Sequence, residues 1–385
     1  MANLEEIVAR CREIAEDVTM AEAWRWKNAD PQRKVVGHFQ VYFPEELPYA
    51  AGILPLKVAG AGNKVEAKRA DSRMPSFICS ICRTSLELGL NRTLDCLDAL
   101  FFHPICDAAR NLAGIWHRNF PGTESQILYL PQNLASEGSV EYLYNEYRRL
   151  RREFGEMAGR PVSDDDLRRS IAVYNENRRH LRQLYDIKRD SPWLIAAADV
   201  YAIMRAGTLM PRDEHNALLR DVMAELSRRP AKARDKIRVM LEGAFCEQPP
   251  IEFIEVLEEV CYIVDDDLLL GVHFLNDDVP LEGDPVWNLA ASYISRTSYS
   301  AVQHDGRRTK ESMFMEKVHS SRAEAVILCP AKFCEPGLDE QVSFAKALEE
   351  EGIPYLTLEF EEKMTSFEQV RVQAETFAES LLFYS

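Results

Sequence analysis

The sequence predicts an α/β protein with two Rossmann-like parallel-sheet lobes joined by a helical segment. Short apolar runs alternate with helical patterns over residues 34–130 and again from residue 236 onward, which is typical of parallel sheets covered by helices on both faces. The stretch between them carries helical patterns alone. We therefore divide the chain into an N-terminal α/β lobe (1–138), a helical segment (139–231) and a C-terminal α/β lobe (232–385).

The first lobe is predicted to begin with one helix, over residues 4–26, that packs across the surface of that lobe. Strands and helices then alternate. The strands are expected at 34–40, 53–58, in the apolar run ending at 103, and at 127–130; the helices are expected at 43–52, from Cys79 through 90, and at 108–117.

The helical segment and the second lobe follow from similar signals. Ser163-x-x-Asp166 is a capping-box pattern that opens a long helix, and Pro192 and Pro211 are each expected to start another. In the second lobe we expect strands at 236–241, 260–264, 323–329 and 354–360, and helices at 251–259, 286–294, 307–318, 338–350 and from 367.

Composition limits the possible partners. The chain has 385 residues, of which 46% are hydrophobic and 28% charged, and its net charge is -16. An acidic chain lacks the basic field that nucleic acid requires. No apolar run approaches the roughly 18 residues that span a bilayer, so we expect no membrane partner and a cytoplasmic location. In that reducing compartment the nine cysteines are expected to be free thiols, ligands or nucleophiles.

Cysteines recur at three predicted corners, in Cys79-x-x-Cys82, at Cys106 and in Cys329-x4-Cys334. At each corner a strand is expected to give way to a helix, where free backbone N–H groups and the helix dipole would lower the pKa of a thiol. Three such corners could face one ligand. The remaining cysteines are expected to be small buried hydrophobic residues: Cys11, Cys96, Cys246 and Cys261.

The spacing of these cysteines leaves several kinds of site open. Cys79-x-x-Cys82 alone is compatible with a redox pair, half of a zinc site or coincidence. A zinc site would need a second close pair or a histidine cluster, and a thioredoxin-like fold is much smaller than this chain. The remaining option for soft ligands is an iron–sulfur cluster held by cysteines that are distant in sequence.

Four segments together resemble one known family. They are Cys79-Ser80-x-x-Arg83-x-Ser85, the apolar run into Cys106-Asp107, Phe333-Cys334-Glu335-Pro336, and Pro44-x-Glu46-Leu47-x-x-Ala50-Ala51-Gly52. This set is similar to the 2-hydroxyacyl-CoA dehydratase and benzoyl-CoA reductase family, and the similarity covers nearly the whole chain. Within the family, the length and these corners most resemble the smaller cluster-bearing (C or gamma) subunits of ATP-dependent benzoyl-CoA reductases.

The resemblance implies a [4Fe-4S] cluster held by Cys79, Cys106 and Cys334, with Cys82 and Cys329 as possible rivals of their neighbours. It also implies several partners: a homologous, larger cluster-bearing subunit, an ATPase or activator with its own iron–sulfur cluster, reduced ferredoxin, and an acyl-CoA substrate. Gly60-Ala61-Gly62 is too short to be a nucleotide-binding loop, so a partner subunit is expected to hydrolyse the ATP.

The function implied by the resemblance is ATP-dependent reduction of the aromatic ring of benzoyl-CoA to a cyclohexadiene-carbonyl-CoA. The alternatives are a subunit of a (R)-2-hydroxyacyl-CoA dehydratase, which eliminates water through a ketyl radical, and a non-catalytic electron-relay or structural subunit.

Further residues are candidates for catalysis. Glu46 matches a position where some dehydratases carry an acid near the substrate, but it could equally complement a helix dipole. His38 and His103 could donate protons, although a structural role is the simpler expectation. Asp265-Asp266-Asp267 is expected to be a solvated loop.

Overall fold

A computed structural model describes residues 3–39, 41–230, 232–361 and 363–384, so Gln40 and Ala231, which end a predicted strand and the predicted helical segment, lie outside the described residues. The strands are β1 (Val35–Phe39), β2 (Leu54–Val58), β3 (Ala99–Phe102), β4 (Glu124–Ile127), β5 (Ile237–Glu242), β6 (Cys261–Asp266), β7 (Ala325–Leu328) and β8 (Tyr355–Thr357).

The described residues also form helices throughout the chain. They are α1 (Leu4–Glu16), α2 (Ala21–Asn28), α3 (Glu46–Ala50), α4 (Ser80–Leu90), α5 (Asp107–Asn119), α6 (Ser139–Met157), α7 (Asp164–Asp190), α8 (Ala197–Gly207), α9 (Arg212–Leu226), α10 (Ile251–Val260), α11 (Pro285–Ser295), α12 (Lys310–Ser321), α13 (Glu335–Glu351) and α14 (Glu368–Tyr384). None of the described helices is both long and apolar enough to cross a membrane.

The strands form two parallel sheets with the same topology, which confirms the predicted fold class. The first sheet has the order β2-β1-β3-β4 and the second has the order β6-β5-β7-β8. In register, Val36 lies opposite Pro55 and Ala99, and Val239 lies opposite Ile263 and Ala325. In each sheet the second strand along the chain lies on one side of the first strand, and the third strand lies on its other side. A crevice therefore opens beyond the carboxyl ends of the two central strands.

The N-terminal region differs from the single predicted helix. The chain turns between α1 and α2, where Met20 has a left-handed backbone with φ 59° and the Asp17 carboxylate accepts hydrogen bonds from the backbone N–H groups of Thr19 and Ala21. A carboxylate that caps a new helix start competes with continuation of the first helix. α1 packs mainly on α8 and α9, whereas α2 contacts β2 of the first sheet, so most of the packing of α1 is against the helical segment and not across the first lobe as expected.

The fourth strand, predicted at 127–130, lies instead over Glu124–Ile127. It is an edge strand in which Glu124 is exposed and the other three residues are only partly buried, so it lacks the apolar run by which buried strands are recognised. Leu128 and Leu130, which suggest a strand in the sequence, are buried in the segment after it.

The helical segment connects both lobes. α7 packs against α3 of the first lobe and β6 of the second. Two ion pairs of buried side chains lie on these contacts, Glu46 with Arg178 and Asp266 with Lys188. The predicted division at 138 and 231 stays a prediction, since one continuous hydrophobic core extends through both lobes and the helices between them.

The two lobes also touch through backbone. Gly271, after β6, lies so close to Val41, after β1, that a Cβ at position 271 would overlap the Val41 carbonyl oxygen. The buried Lys57 Nζ donates to the same oxygen at 3.2 Å. Only glycine fits this approach.

Candidate functional site

Three cysteines occupy the N-cap positions of three helices. Cys79 precedes α4, Cys106 precedes α5 and Cys334 precedes α13. The first backbone N–H groups of a helix lack partners within the helix and can donate to such a side chain. Cys106 Sγ accepts a hydrogen bond from the Ala109 N–H at 3.4 Å, and the Gly337 N–H helps to lower the pKa of Cys334. Each of these corners therefore places a sulfur atom at the N-terminal end of a helix, where the peptide dipoles favour negative charge.

The same three thiols lie near one another. Cys79 and Cys334 lie near enough to Cys106 to raise its pKa, so residues of both lobes contribute to one group. The prediction that a strand precedes each cysteine fails for Cys79, because a run of turns precedes it in the structure. β3 and β7, both central strands of their sheets, lead into Cys106 and Cys334, which places these two thiols beyond the crevices of the sheets.

Two further cysteines join this group. The sulfur atoms of Cys82 and Cys79 are 3.5 Å apart, and Cys246 lies near enough to Cys334 to affect its pKa. Cys246 is buried in the hydrophobic core as expected, and it is also a neighbour of Cys334. It follows β5, the other central strand of the second sheet, and only that placement could have identified it.

The thiol pKa values agree only in part with the expected lowering at helix N-termini. The interaction with the neighbouring Cys246 thiol lowers the pKa of Cys334, with help from the Gly337 N–H and against the effect of burial. At Cys106, burial outweighs the backbone hydrogen bonds and raises the pKa to about 11. Burial also raises the pKa of Cys246, so this residue remains a thiol that can donate its proton to Cys334.

Cys329 has different neighbours. Burial raises its pKa, and the charged groups that add to this effect are Asp267, Glu242 and Asp266. Its N–H donates to the Glu242 carbonyl oxygen at 2.7 Å. Cys329 therefore belongs to an acidic interior of the second lobe.

A cleft of about 800 Å³ opens beside the thiols and is lined by both lobes. We call it the site cleft. Ile105, Cys106 and Asp107 line it from the first lobe, and Glu335 and Glu340 are among its lining residues from the second. A molecule in the site cleft would lie against Cys106 and the start of α13.

The three predicted catalytic side chains are all buried. His38 Nε2 lies 3.1 Å from Glu45 Oε1, and its ring stacks on Phe43. Glu46 pairs with Arg178. His103 Nδ1 has no hydrogen-bond partner among the described residues. Burial lowers the pKa of both histidines, that of His103 to about 4, so both are neutral at neutral pH.

The acidic triplet is not the solvated loop that the sequence suggests. Asp266 is the last residue of β6, and Asp266 and Asp267 are each 2% exposed. Asp267 accepts hydrogen bonds from the N–H groups of Gly243 and Ala244 at 3.0 and 3.1 Å. The acidic residues are internal because β6 carries them to the crevice of the second sheet.

The donor set fits an iron–sulfur cluster better than a single ion. Among the described residues no group of three or more His, Cys, Asp or Glu side chains is arranged to hold one metal ion. A four-iron cluster spaces its ligands farther apart and takes soft thiolates. Cys79, Cys106 and Cys334 supply three such sulfurs from separate helix starts.

The fold and this site define a two-lobed parallel α/β protein with a thiol group beside a cleft between its lobes. The family model described as "2-hydroxyglutaryl-CoA dehydratase, D-component" matches residues 40–381. The C subunit of benzoyl-CoA reductase from Thauera aromatica is 38% identical over 99% of both chains. The beta subunit of lactoyl-CoA dehydratase from Anaerotignum propionicum is 29% identical over 99% of this chain and 100% of that protein.

A further relative, the beta subunit of (R)-2-hydroxyglutaryl-CoA dehydratase from Acidaminococcus fermentans, is 28% identical over 91% of this chain and 93% of its own length. The chain belongs to the 2-hydroxyglutaryl-CoA dehydratase D-component family. The resemblance inferred from the cysteine corners is thereby confirmed.

Proposed function

We propose that this chain is the iron–sulfur subunit of an ATP-dependent, ferredoxin-linked benzoyl-CoA reductase. The observation that carries the proposal is the meeting of three N-cap cysteines from two lobes beside a cleft, in a chain 38% identical to the C subunit of a benzoyl-CoA reductase. The dehydratase relatives are 29% and 28% identical. The difference in identity favours ring reduction over dehydration.

Cys79, Cys106 and Cys334 would hold a [4Fe-4S] cluster, which supplies one-electron transfer at low potential when bound. The chain's own contribution is positioning and shielding. The Ala109 and Gly337 N–H groups direct dipoles at two of the sulfur atoms, and both lobes wall the site cleft. Such a setting limits the access of water to a reactive anion.

The partners in this proposal are those of the family. We propose a larger homologous subunit, an ATPase or activator with its own cluster, reduced ferredoxin and an acyl-CoA. Reduction of an aromatic thioester is strongly unfavourable, so it must be coupled to ATP hydrolysis, which we assign to the partner ATPase. The cytoplasmic location also stays a prediction.

Glu46, His38 and His103 remain proposed substrate-side residues. To donate a proton, His103 must be charged, and burial opposes that charge. Glu46 would have to separate from Arg178 to reach substrate. Unchanged ring reduction in His103→Gln, with normal iron content, would remove His103 from the proposal.

The second candidate is a subunit of a (R)-2-hydroxyacyl-CoA dehydratase, which the family description itself favours. Reductant consumption by the assembled complex separates the two activities. Ring reduction consumes two electrons for each product formed, whereas dehydration requires reductant only in catalytic amounts. An electron-relay role, with no substrate contact, predicts that acyl-CoA leaves the electron paramagnetic resonance (EPR) spectrum of this chain's cluster unchanged.

The decisive experiment compares wild type, Cys106→Ser and Cys261→Ser in the anaerobically purified complex. Cys261 is buried and bonds the Leu257 carbonyl oxygen, so its variant is a matched control. Cys106→Ser should lose about four irons per copy and the reduced-cluster EPR signal, whereas Cys261→Ser should retain both. Equal iron in all three proteins would overturn the assignment of Cys106, and metal-free wild type would overturn the proposed function.

A further inference from the structure

Two clefts and a cavity between them lie in the second lobe or along its surface. The first, which we call the outer cleft, has about 700 Å³ and lies between α7 and α12, with Tyr299 and Lys317 among its lining residues. The second is a small internal cavity lined by Glu242, Asp267, Tyr299 and Glu340, among others. The third is the site cleft. Tyr299 lines both the outer cleft and the cavity, and Glu340 lines both the cavity and the site cleft.

Polar groups connect the outer cleft to the cavity. Lys317 Nζ lies 3.9 Å from Glu242 Oε2 and 3.9 Å from Asp265 Oδ1, and it donates to the Asp266 carbonyl oxygen at 2.7 Å. The Tyr299 hydroxyl donates to Glu242 Oε2 at 2.7 Å. A proton that enters from the outer cleft near Lys317 therefore reaches the Tyr299 hydroxyl and the Glu242 carboxyl group, which are already hydrogen-bonded to each other.

The cavity connects Glu242 to Glu340. It has a volume of about 20 Å³, enough for a single water molecule beside the carboxyl groups in a largely apolar wall. Asp267 lies on this wall, and its charge interacts with those of both Glu242 and Glu340. On the far side Glu340 lies 3.0 Å from Lys310 Nζ, and both residues line the site cleft.

The buried acids of this route lose their protons less readily than exposed carboxyl groups do. Burial raises the pKa of Asp267 to about 6 and that of Glu340 to about 7, and it raises that of Glu242 as well. The charged groups that face them are Lys317, Asp265 and Asp266 on the outer side, and Lys310 and Glu311 on the site side. Cys329 also adjoins the acids and stays a neutral thiol because burial raises its pKa.

We propose that Tyr299, Glu242, Asp267 and Glu340 form a proton relay from the outer cleft to the site cleft. The inference rests on the proposed function, because ring reduction takes up two protons together with two electrons. In each transfer the O–H bond of Glu340 breaks, a C–H bond forms on the reduced ring, and the electron comes from ferredoxin, which is oxidised. The Glu340 carboxylate then regains a proton through the relay, and water in the outer cleft is the final source.

A proton route through the interior of the second lobe meets a requirement of the proposed chemistry. A site that excludes water cannot draw protons from the space that holds its substrate. The relay reaches Glu340 through the interior of the second lobe and not through the site cleft, so the site cleft can be closed while protons still arrive.

The test uses the complete complex with Glu340→Gln, Glu242→Gln and Tyr299→Phe. Each substitution removes an exchangeable acidic proton while keeping the size of the side chain. The control is Glu350→Gln, which changes an exposed carboxylate on the same helix as Glu340. We expect the relay variants to retain iron and the EPR signal but to reduce the ring at least about 100-fold more slowly. Because Tyr299→Phe preserves the ring, it also guards against misfolding of the two glutamate variants.

An infrared readout does not depend on turnover. Wild type at neutral pH should show the carbonyl stretch of a protonated carboxylic acid that shifts in D2O, and Glu340→Gln should weaken it. Absence of the band in wild type, or wild-type rates in all three relay variants, would overturn the relay alone. If wild type consumes no stoichiometric reductant, the proposed function fails and the relay fails with it.

Discussion

Cys246 and Cys334 are neighbours at the crevice of the second sheet, and the interaction with the Cys246 thiol is the main reason that the pKa of Cys334 is lowered. Hydrogen bonds to a cluster sulfur stabilise the more negative, reduced state. Cys246→Ala should therefore retain iron and lower the cluster's midpoint potential by roughly tens of millivolts. An EPR-monitored redox titration measures this shift.

The matched comparison for that prediction is Cys334→Ala, which removes the proposed ligand itself. It should lose iron, whereas Cys246→Ala should not. Loss of iron in Cys246→Ala would instead make Cys246 a ligand and would contradict the ligand set proposed above.

Because Gly271 lies against the Val41 backbone, we predict that a methyl group at position 271 would destabilise the folded chain. Gly271→Ala should lower the free energy of unfolding by roughly 1–3 kcal/mol or more, because backbone of one lobe must move away from the other. Denaturant titration measures the change. Gly114→Ala is the control, since Gly114 lies in α5 with open space around its Cα, and the substitution should leave stability unchanged or raise it.

We predict that burial of His103 makes the folded chain less stable in acid. Its pKa falls to about 4 in the folded chain because it is buried, below the unfolded value near 6.5. The unfolded state therefore binds more protons between these values, so stability is complete above about pH 6.5 and declines as the pH falls toward 4. His103→Leu should remove up to roughly 3 kcal/mol of that decline. Identical acid profiles for wild type and variant, measured by chemical unfolding, would refute the prediction.

We predict that the buried Lys188–Asp266 ion pair contributes strongly to the stability of the contact between the helical segment and the second lobe. Neither side chain is appreciably exposed, and Tyr185 also donates to Asp266 at 2.7 Å. Lys188→Met should cost roughly 3–5 kcal/mol, because it leaves a buried carboxylate without its cation. Thermal or denaturant unfolding measures the loss.

A double variant checks the cause of that loss. Lys188→Met with Asp266→Asn should recover much of the stability, since no charge is left unpaired. Lys346→Met, which breaks an exposed pair with Glu350, should change stability by about 0.5 kcal/mol at most. Equal losses in the single and double variants would argue against charge pairing as the cause.

Much of the architecture is predictable because buried parallel strands have a strong local signal. The runs ending at Phe39, Phe102 and Leu328 are apolar on both faces, and each predicted strand agrees with the observed one within a few residues. The edge strand β4 has no such run. The N-cap positions of Cys106 and Cys334 are likewise visible in the sequence, since each lies between an apolar run and a helical pattern.

The rest of the site depends on contacts that no local pattern records. Cys246 meets Cys334 only because two central strands of one sheet end side by side. Asp266 and Asp267 look like a surface loop in sequence, yet β6 buries them beside Lys188 and the Gly243 N–H. Glu340 lies on an ordinary amphipathic helix, and only the cavity beside it sets it apart.

The division of the thiols between the lobes has a consequence for biogenesis. Cys79 and Cys106 come from the first lobe, whereas Cys334 and its neighbour Cys246 come from the second, with all four helices of the central segment between them. Loop closure over such a separation makes their meeting a late step of folding. An iron–sulfur donor that met the chain during synthesis would find only part of the ligand set. Complete cluster insertion would therefore follow lobe docking and mark the chains that have finished folding.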